Sequence, residues 1–367
     1  MSSLFLGLIS GTSADGIDAA LVQFDPGIRV LAARTSRYSA ALRDKLLALT
    51  APDASIPLDH LGALDVEIGE CFAMAAIELL EHAGLRAAEV EAIGSHGQTI
   101  RHRPNGVHPF TMQIGDPAVI AEKTGICTVA DFRRADVAAG GQGAPLAPAF
   151  HAAALTRYLP CAVLNLGGIA NLSLLDSGTE VIGFDTGPAN CLLDAWNARH
   201  RGTPCDRDGE WAATGKVDSE LLDTLLDDAY FRLSPPKSTG REVFNLDWLD
   251  HRLGNRDRSP ADVQATLLAL TATTVADALS ATAFRPGRVL VCGGGVHNRG
   301  LMAALTVALS PTPVESTASA GLDPDFVEAA LLAWLARERL SGRAGNLPSV
   351  SGARGPRLLG AIFAAPP

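Results

Sequence analysis

An apolar run from Leu4 to Ile9 meets a polar, glycine-flanked stretch from Ser10 to Gly16, and a second apolar run from Ile17 to Phe24 leaves it. Runs of this length bounded by turn residues predict a strand, a tight polar loop and a returning strand. Ile28 to Arg37 reads as a third strand, and apolar residues at three- and four-residue spacing predict helices over Ala40 to Thr50 and Leu58 to Ala83, separated by Pro52 and Pro57. Val90 to Gly94 is a short apolar strand that ends in the polar stretch Ser95 to His102. Asp116 before Pro117 caps a helix, and Thr128 to Asp131 forms another short strand.

The pattern then restarts. Cys161 to Asn165, a turn through Gly167-Gly168, and Leu172 to Leu175 repeat the first strand, turn and strand about 160 residues later. Val181 to Phe184 follows and runs into Asp185-Thr-Gly-Pro-Ala-Asn. A long helix over Asp262 to Ala283, a strand over Arg288 to Cys292, a glycine turn at 293–295 and a helix over Arg299 to Leu309 complete the half. Asp325 to Leu340 is the last clear helix, and the tail regains apolar character at Leu358 to Phe363, as a closing strand would. The repeat implies two α/β domains of similar topology, 1–150 and 151–344, with the tail 345–367 returning to the first.

A chain of 367 residues with 47% hydrophobic and 19% charged positions is globular and long enough for two cores. A net charge of -10 argues against nucleic-acid and anionic-membrane partners, which need clustered Lys and Arg. The six cysteines lack zinc-ligand spacing and read as small buried hydrophobes. The N-terminus lacks a basic signal-peptide region and no apolar run approaches the ~20 residues of a bilayer span, so a cytoplasmic location is expected.

Within this frame the polar turns are where chemistry can sit. In the first loop, Gly11 and Gly16 permit unusual backbone angles, Thr12 and Ser13 offer hydroxyls, and Asp15 and Asp18 suit a hydrated cation. The loop is either an ordinary hairpin turn or a phosphate cradle beside Mg²⁺. His96, Gln98, Thr99 and Arg101 either are site residues, lying where open α/β sheets place ligands, or belong to a surface loop whose histidine is satisfied by its neighbours. Arg133 and Arg134 either fork onto an anionic substrate or pair with Asp131 or Asp136. No P-loop or dinucleotide glycine fingerprint is present. Asp185 is either a general base or the cap of the next helix. Lys237, Ser238 and Arg241 lie in a polar loop that reaches a phosphate, orders a lid or is simply solvated. Gly293, Gly294 and Gly295, with Asn298, either seat an adenosine or permit close helix packing. Glu328 stands on an apolar helix face, as a site residue or as a helix-dipole partner.

Taken in order, Ser10-Gly-Thr-Ser-Ala-Asp-Gly-Ile-Asp18, Gly94-Ser-His-Gly-Gln-Thr, Ala130-Asp-Phe-Arg-Arg, Gly140-Gly-Gln-Gly-Ala-Pro-Leu, Gly183-Phe-Asp-Thr-Gly-Pro, Pro236-Lys-Ser-Thr-Gly-Arg-Glu and Gly293-Gly-Gly-Val-His-Asn resemble anhydro-N-acetylmuramic acid kinase over nearly the full chain. The resemblance implies two duplicated actin/hexokinase-type (ribonuclease H-like) α/β domains with an interdomain ATP cleft. It implies hydrolysis of the anhydro bridge of 1,6-anhydro-N-acetylmuramic acid and phosphorylation at O6. Carried onto this chain, Gly11, Thr12, Ser13, Ala14, Asp15, Gly16, Ile17 and Asp18 bind ATP phosphates, with Asp15 and Asp18 meeting Mg²⁺ through water. Gly167, Gly168, Asn171, the glycines 293–295 and Asn298 complete the nucleotide site, and Asp185 is the base. His96, Gln98, Thr99, Arg133 and Glu328 are expected to contact the sugar. Ala189 stands where many relatives have glycine. A homodimer is the expected assembly. An ATPase chaperone or sensor of the same fold and an ATP-independent glycosidase remain the alternatives.

Overall fold

The computed structural model describes residues 3–11, 13–25, 27–51, 53–235, 237–254 and 256–366. Thr12, Pro52 and Pro236 therefore lie outside the described residues. The chain divides into two units: Met1–Ala154 with Phe326–Pro367, and Leu155–Asp325.

The first unit is built on a sheet of β1 (Leu4–Ser10), β2 (Gly16–Gln23), β3 (Arg29–Arg37), β4 (Ala92–Arg103), β5 (Phe110–Ile114) and β6 (Thr128–Ala130), closed by the tail. Its strand order is β3-β2-β1-β4-β6, with β1 antiparallel to β2 and parallel to β4. The second unit has β7 (Cys161–Leu166), β8 (Ile169–Leu175), β9 (Ile182–Pro188), β10 (Val289–Cys292) and β11 (Val314–Ser316), in the order β9-β8-β7-β10-β11. Here too the first strand is antiparallel to the second and parallel to the fourth. The two sheets share one topology, a three-strand meander followed by two parallel strands. This is the duplicated actin/hexokinase-type arrangement.

The tail strand, β12 (Ala361–Phe363), pairs antiparallel with β6 and so belongs to the first sheet. Residues 326–344, assigned above to the C-terminal domain, also go with the first unit. The reason is a groove made by two glycines. Gly7 and Gly94 are register partners on β1 and β4, and a Cβ on Gly7 would stand 1.8 Å from the Ala329 carbonyl oxygen, one on Gly94 2.0 Å from that of Leu332. The helix Val327–Leu340 therefore lies with its backbone directly on the sheet. Leu6 and Leu8, which alternate with Gly7, point to the other face and pack with Ile68, Phe72 and Leu79 of the helix Leu58–Ala83.

The polar stretch 95–102 is not a loop. It continues β4 to Arg103, because β5 folds back antiparallel and satisfies its backbone. Asp185 likewise lies inside β9 rather than at its end. Contrary to the expectation that no segment is apolar enough, the helix Pro260–Ser280 is by length and composition capable of crossing a membrane, but 61% of its most apolar 18 residues are buried within the protein. Val263, Leu267, Leu270 and Val275 all pack into the cores of the second unit, which is what its apolar character serves. Of the cysteines, Cys161 and Cys292 are buried as expected, whereas Cys205 is exposed in an irregular segment.

The glycine-rich stretch 140–145 meets the tail around one carboxylate. Asp136 is fully buried and accepts from the Gly143 N–H at 2.7 Å, Asn346 Nδ2 at 2.7 Å and Ser351 Oγ at 2.6 Å. Gly141 has no room for a side chain, since its Cβ would lie 2.2 Å from Asp136 Oδ2. Removing this acceptor leaves the Gly143 N–H and the Ser351 hydroxyl without it, and Asn346 Nδ2 with only a 3.5 Å bond to the Gly355 carbonyl. Asp136→Ala is expected to destabilise the protein by about 3–5 kcal/mol, read as a lower denaturation midpoint, with the tail becoming susceptible to protease.

Candidate active site

Three adjacent strands carry the central row of the second unit. Asn165 on β7 is paired with Asn171 on β8, and Asn171 with Asp185 on β9, so the three side chains share one face of the sheet. The loop after the helix turn at 229–232 closes over Asp185. The Lys237 carbonyl accepts from the Asp185 N–H at 3.1 Å, Tyr230 Oη donates to the Asp185 carbonyl at 2.8 Å, and the Thr239 N–H donates to Asp185 Oδ2 at 2.9 Å. One carboxylate oxygen is thus fixed by a backbone donor, which orients the other. Burial raises the Asp185 carboxyl from 3.8 to about 6; Glu242 adds to the rise, while the Thr239 N–H and Lys237 oppose it. Asp185 does not cap the following helix, whose N-cap is Ala189 without any side-chain hydrogen bond.

The helix Asn190–Arg201 begins against the second glycine turn. Gly167 and Gly168 accept from the N–H groups of Asn190 and of Ala189 and Cys191 respectively, and Asn190 Nδ2 donates to the Leu166 carbonyl at 2.9 Å. Arg241 lies over Gly168: a Cβ there would stand 2.6 Å from its Nε. The polar loop 237–242 thereby brings a cation onto this turn and a carboxylate, Glu242, toward Asp185.

At the third glycine turn the residues separate by role. Gly293 has φ 81°, and a Cβ on it would press on Asn165 Oδ1 at 2.5 Å, while one on Gly295 would press on Leu166 at 2.5 Å, so both are needed for packing. Gly294 faces open space and lines a cavity of about 660 Å³ with Asn190, Asp194, Asp206, Arg207, Val296 and Asn298. Asn298 caps the helix Arg299–Ala308 by accepting from the Leu301 N–H at 2.9 Å, and His297 meets Asp325 at 2.8 Å. A cavity of this size with one bare backbone wall admits a nucleoside.

In the first unit, Gln98 is fully buried and ties down the first loop: its Oε1 accepts from Ser10 Oγ at 2.5 Å and its Nε2 donates to the Gly11 carbonyl at 3.2 Å. Ala14 takes a positive φ of 51°, and its N–H closes the turn on the Gly11 carbonyl at 3.1 Å. Gly11 and Asp15 are exposed, Ser13, Gly16 and Asp18 partly so, and Ala14 and Ile17 are buried. Asp15 pairs with Arg43 at 2.9 Å, and Asp18 accepts from Thr35 Oγ1 at 2.5 Å.

Arg133 is held by His96 and by the glycine-rich stretch. Its Nε donates to His96 Nε2 at 2.8 Å and its Nη1 to the Gly143 carbonyl at 2.7 Å. His96 Nδ1 lies 2.9 Å from the Gly97 carbonyl, so the ring carries its proton there and accepts with Nε2. Burial, then the neighbouring Arg133 charge, drive His96 down to about 3, which keeps it neutral. Arg134, not Arg133, pairs with Asp131, at 3.6 Å. Glu328, in the first turn of the helix seated on Gly7 and Gly94, is exposed and faces Arg133 and Asp18 electrostatically; desolvation raises its pKa, Arg133 lowers it and Asp18 adds to the rise. Arg133, Glu328 and Asp18 therefore form one charged group. Thr99 Oγ1 accepts from Gln113 Nε2 at 3.1 Å, and Arg101 donates to the backbone carbonyls of Leu49, Ile100 and Ala54, so both serve the fold locally.

A profile of anhydro-N-acetylmuramic acid kinase matches residues 3–365. The chain belongs to this family. It is similar to the anhydro-N-acetylmuramic acid kinase of Xanthomonas axonopodis pv. citri, 58% identical over 99% of each chain. The Xylella fastidiosa protein is 56% identical over 99% of this chain and 96% of its own, and that of Coxiella burnetii 50% identical over 98% and 97%. Among solved structures, a ROK family glucokinase from Streptomyces griseus in complex with glucose and AMPPNP aligns over 90% of this chain and 99% of its own, at 16% identity and a TM-score of 0.41. As a member of the anhydro-N-acetylmuramic acid kinase family the protein is a sugar kinase. Three site residues escaped the motif reading: Asp194 and Asp206 at the cavity, and Tyr230 beside Asp185. Asn190 and Glu242 end two of the motifs quoted above, which gave neither a role of its own. Asp194 and Asp206 stand in or just after the helix that follows the Gly-Pro turn, and spacing alone gives no sign which of its faces meets a cavity.

Proposed function

We propose that the protein converts 1,6-anhydro-N-acetylmuramic acid, ATP and water to N-acetylmuramic acid 6-phosphate and ADP, in the cytoplasm, with Asp185 as the base. The arrangement of Asp185 carries this reading: one oxygen is held by the Thr239 N–H and the carboxyl is raised to about 6, so the ionised group is a competent proton acceptor near neutral pH. The free oxygen takes a proton from water as that water attacks the anomeric carbon. The bond from that carbon to O6 breaks, O6 attacks the γ-phosphorus, and the bond to the ADP oxygen breaks in turn. The atom that leaves the first centre is thus already placed as the nucleophile for the second.

In this reading the loop Gly11–Asp18 of the first unit binds phosphate, and Arg133 and Glu328 of the same unit hold the sugar; in the second unit the turn Gly167-Gly168 binds phosphate, and Gly294 and its cavity seat the adenosine. His96 positions Arg133 and Gln98 positions the loop, each through the bonds described above. No cluster of three or more His, Cys, Asp or Glu side chains suited to a metal is found among the described residues. That is compatible with Mg²⁺, which keeps several waters and takes one or two carboxylates plus substrate phosphates. Asp15, which pairs with Arg43, and Asp18, which accepts from Thr35 Oγ1, would each meet the ion through water. Mg²⁺ would supply neutralisation of phosphate charge. The homodimer stays part of this reading, checked by sedimentation.

The pH dependence follows from the base. Asp185 must be ionised, so kcat/KM for the anhydrosugar is expected to fall tenfold per pH unit below about 6 and to level off above it. A profile flat from pH 5 to 8 would remove Asp185 from the role.

A further inference from the structure

A second, smaller cavity lies wholly in the first unit, at the edge where the tail strand joins the sheet. It measures about 200 Å³ and is lined by Asp65, Ser95, Gln113, Asp131, Arg134 and Phe363, among others. Ser95 is 1% exposed, yet its hydroxyl has no hydrogen-bond partner. A buried hydroxyl is normally satisfied, and an exception at a cavity wall points to a missing partner. Ser95 alternates with Gly94, whose missing side chain admits the helix Val327–Leu340, so it projects from the opposite face of β4.

The polar atoms here are mainly acceptors. Gln113 directs its amide hydrogens to Thr99 and Thr111, at 3.1 and 2.8 Å, leaving its carbonyl oxygen as an acceptor. Asp65 uses one oxygen to accept from the Gly115 N–H at 2.6 Å and keeps the other. Asp131, held at a positive φ of 63°, pairs with Arg134 at 3.6 Å and accepts from its backbone N–H. Two carboxylates against one guanidinium leave one negative charge uncompensated. Ala361, Phe363, Ile114 and Pro117 supply an apolar wall. Desolvation raises the carboxyl pKa of both Asp65 and Asp131, against the lowering effect of the Gly115 N–H on the first and of Arg134 on the second.

We propose that this cavity binds a small organic monocation, a primary ammonium on a short aliphatic body, with Ser95, Asp65, Asp131 and the Gln113 carbonyl as its acceptors. An ammonium group brings three donors and one positive charge to an acceptor-rich, singly negative pocket. The aliphatic body matches the apolar wall, and the volume exceeds the ≈ 30 Å³ share of one water or bare ion several-fold. None of the residues given a role in the base or in the nucleotide seat is among its acceptors; His96, which positions Arg133, also lines the cavity but is not one of them.

The test is isothermal titration of the full-length protein at pH 7.5 with n-butylammonium chloride, against 1-butanol and against potassium chloride. Saturable binding of n-butylammonium is expected, with 1-butanol at least tenfold weaker and potassium failing to compete. Ser95→Ala and Asp131→Asn, each checked for an unchanged circular dichroism spectrum, are expected to weaken binding at least tenfold. Asn tolerates the positive φ at 131, so this second variant keeps the test valid if Ser95→Ala does not fold. Absence of saturable heat, equal affinity for the alcohol, displacement by potassium, or full affinity in a folded variant would each overturn the proposal.

Discussion

Asp185→Asn is expected to reduce formation of sugar phosphate by on the order of 10³-fold, the middle of the range for a positioned general base, while leaving ATP binding within a factor of about three. Asn still offers an oxygen to the Thr239 N–H, so the loop 237–242 stays closed over β9, but it has no lone pair basic enough to take a proton from water. Stability supplies the control. The folded-state carboxyl is raised from 3.8 to about 6, so ionising it opposes folding. That opposition is absent below about pH 3.8, grows as the pH rises through the folded value, and is complete above it. At pH 7.5 the Asn variant is therefore expected to melt at the same temperature as wild type or higher. Two pKa units correspond to roughly 3 kcal/mol as an upper bound. An inactive but less stable variant would mean that Asp185 serves the fold.

Gly94→Ala is expected to cost at least about 3 kcal/mol and to lower both soluble yield and activity, at the upper end of overpacking effects. The added methyl would stand 2.0 Å from the Leu332 carbonyl oxygen and 2.6 Å from its carbonyl carbon, both backbone atoms of a helix that cannot move without lifting off the sheet. The same helix carries Glu328 in its first turn, so lifting it withdraws Glu328 from Arg133 as well. Gly7→Ala meets the Ala329 carbonyl at 1.8 Å and is expected to behave alike. By contrast, Gly84→Ala, at a helix C-cap with nothing within 4 Å, is limited to the strain of φ 67° and is expected to cost about 1 kcal/mol. Thermal melts of the three variants side by side separate close packing from turn strain.

The strands and helices of the first half were legible because their apolar periodicity is uninterrupted; Ala40–Thr50 and Leu58–Ala83 run as the spacing predicts. The duplication was legible from the repeated strand, glycine turn and strand. The extension of β4 through Ser95–Arg103 was not, since its polar residues look like loop and only pairing with β5 makes them strand. The placement of Val327–Leu340 was also hidden. Its position in the chain assigns it to the second unit, and what decides the matter is the absence of side chains at Gly7 and Gly94, more than 200 residues earlier. In the site, Gln98 and Thr99 are expected as ligand contacts from their place beside a strand end. The partners of their polar atoms within the protein, Ser10, Gly11 and Gln113, are ones that sequence spacing cannot reveal.

The most direct measurement incubates the purified wild-type protein with 1,6-anhydro-N-acetylmuramic acid, with and without ATP and Mg²⁺, and follows ADP and sugar products by mass spectrometry. The expected result is one ADP for each N-acetylmuramic acid 6-phosphate formed, and no ring opening when ATP is left out. Ring opening without ATP, or ATP turnover that the anhydrosugar does not stimulate, would contradict the account.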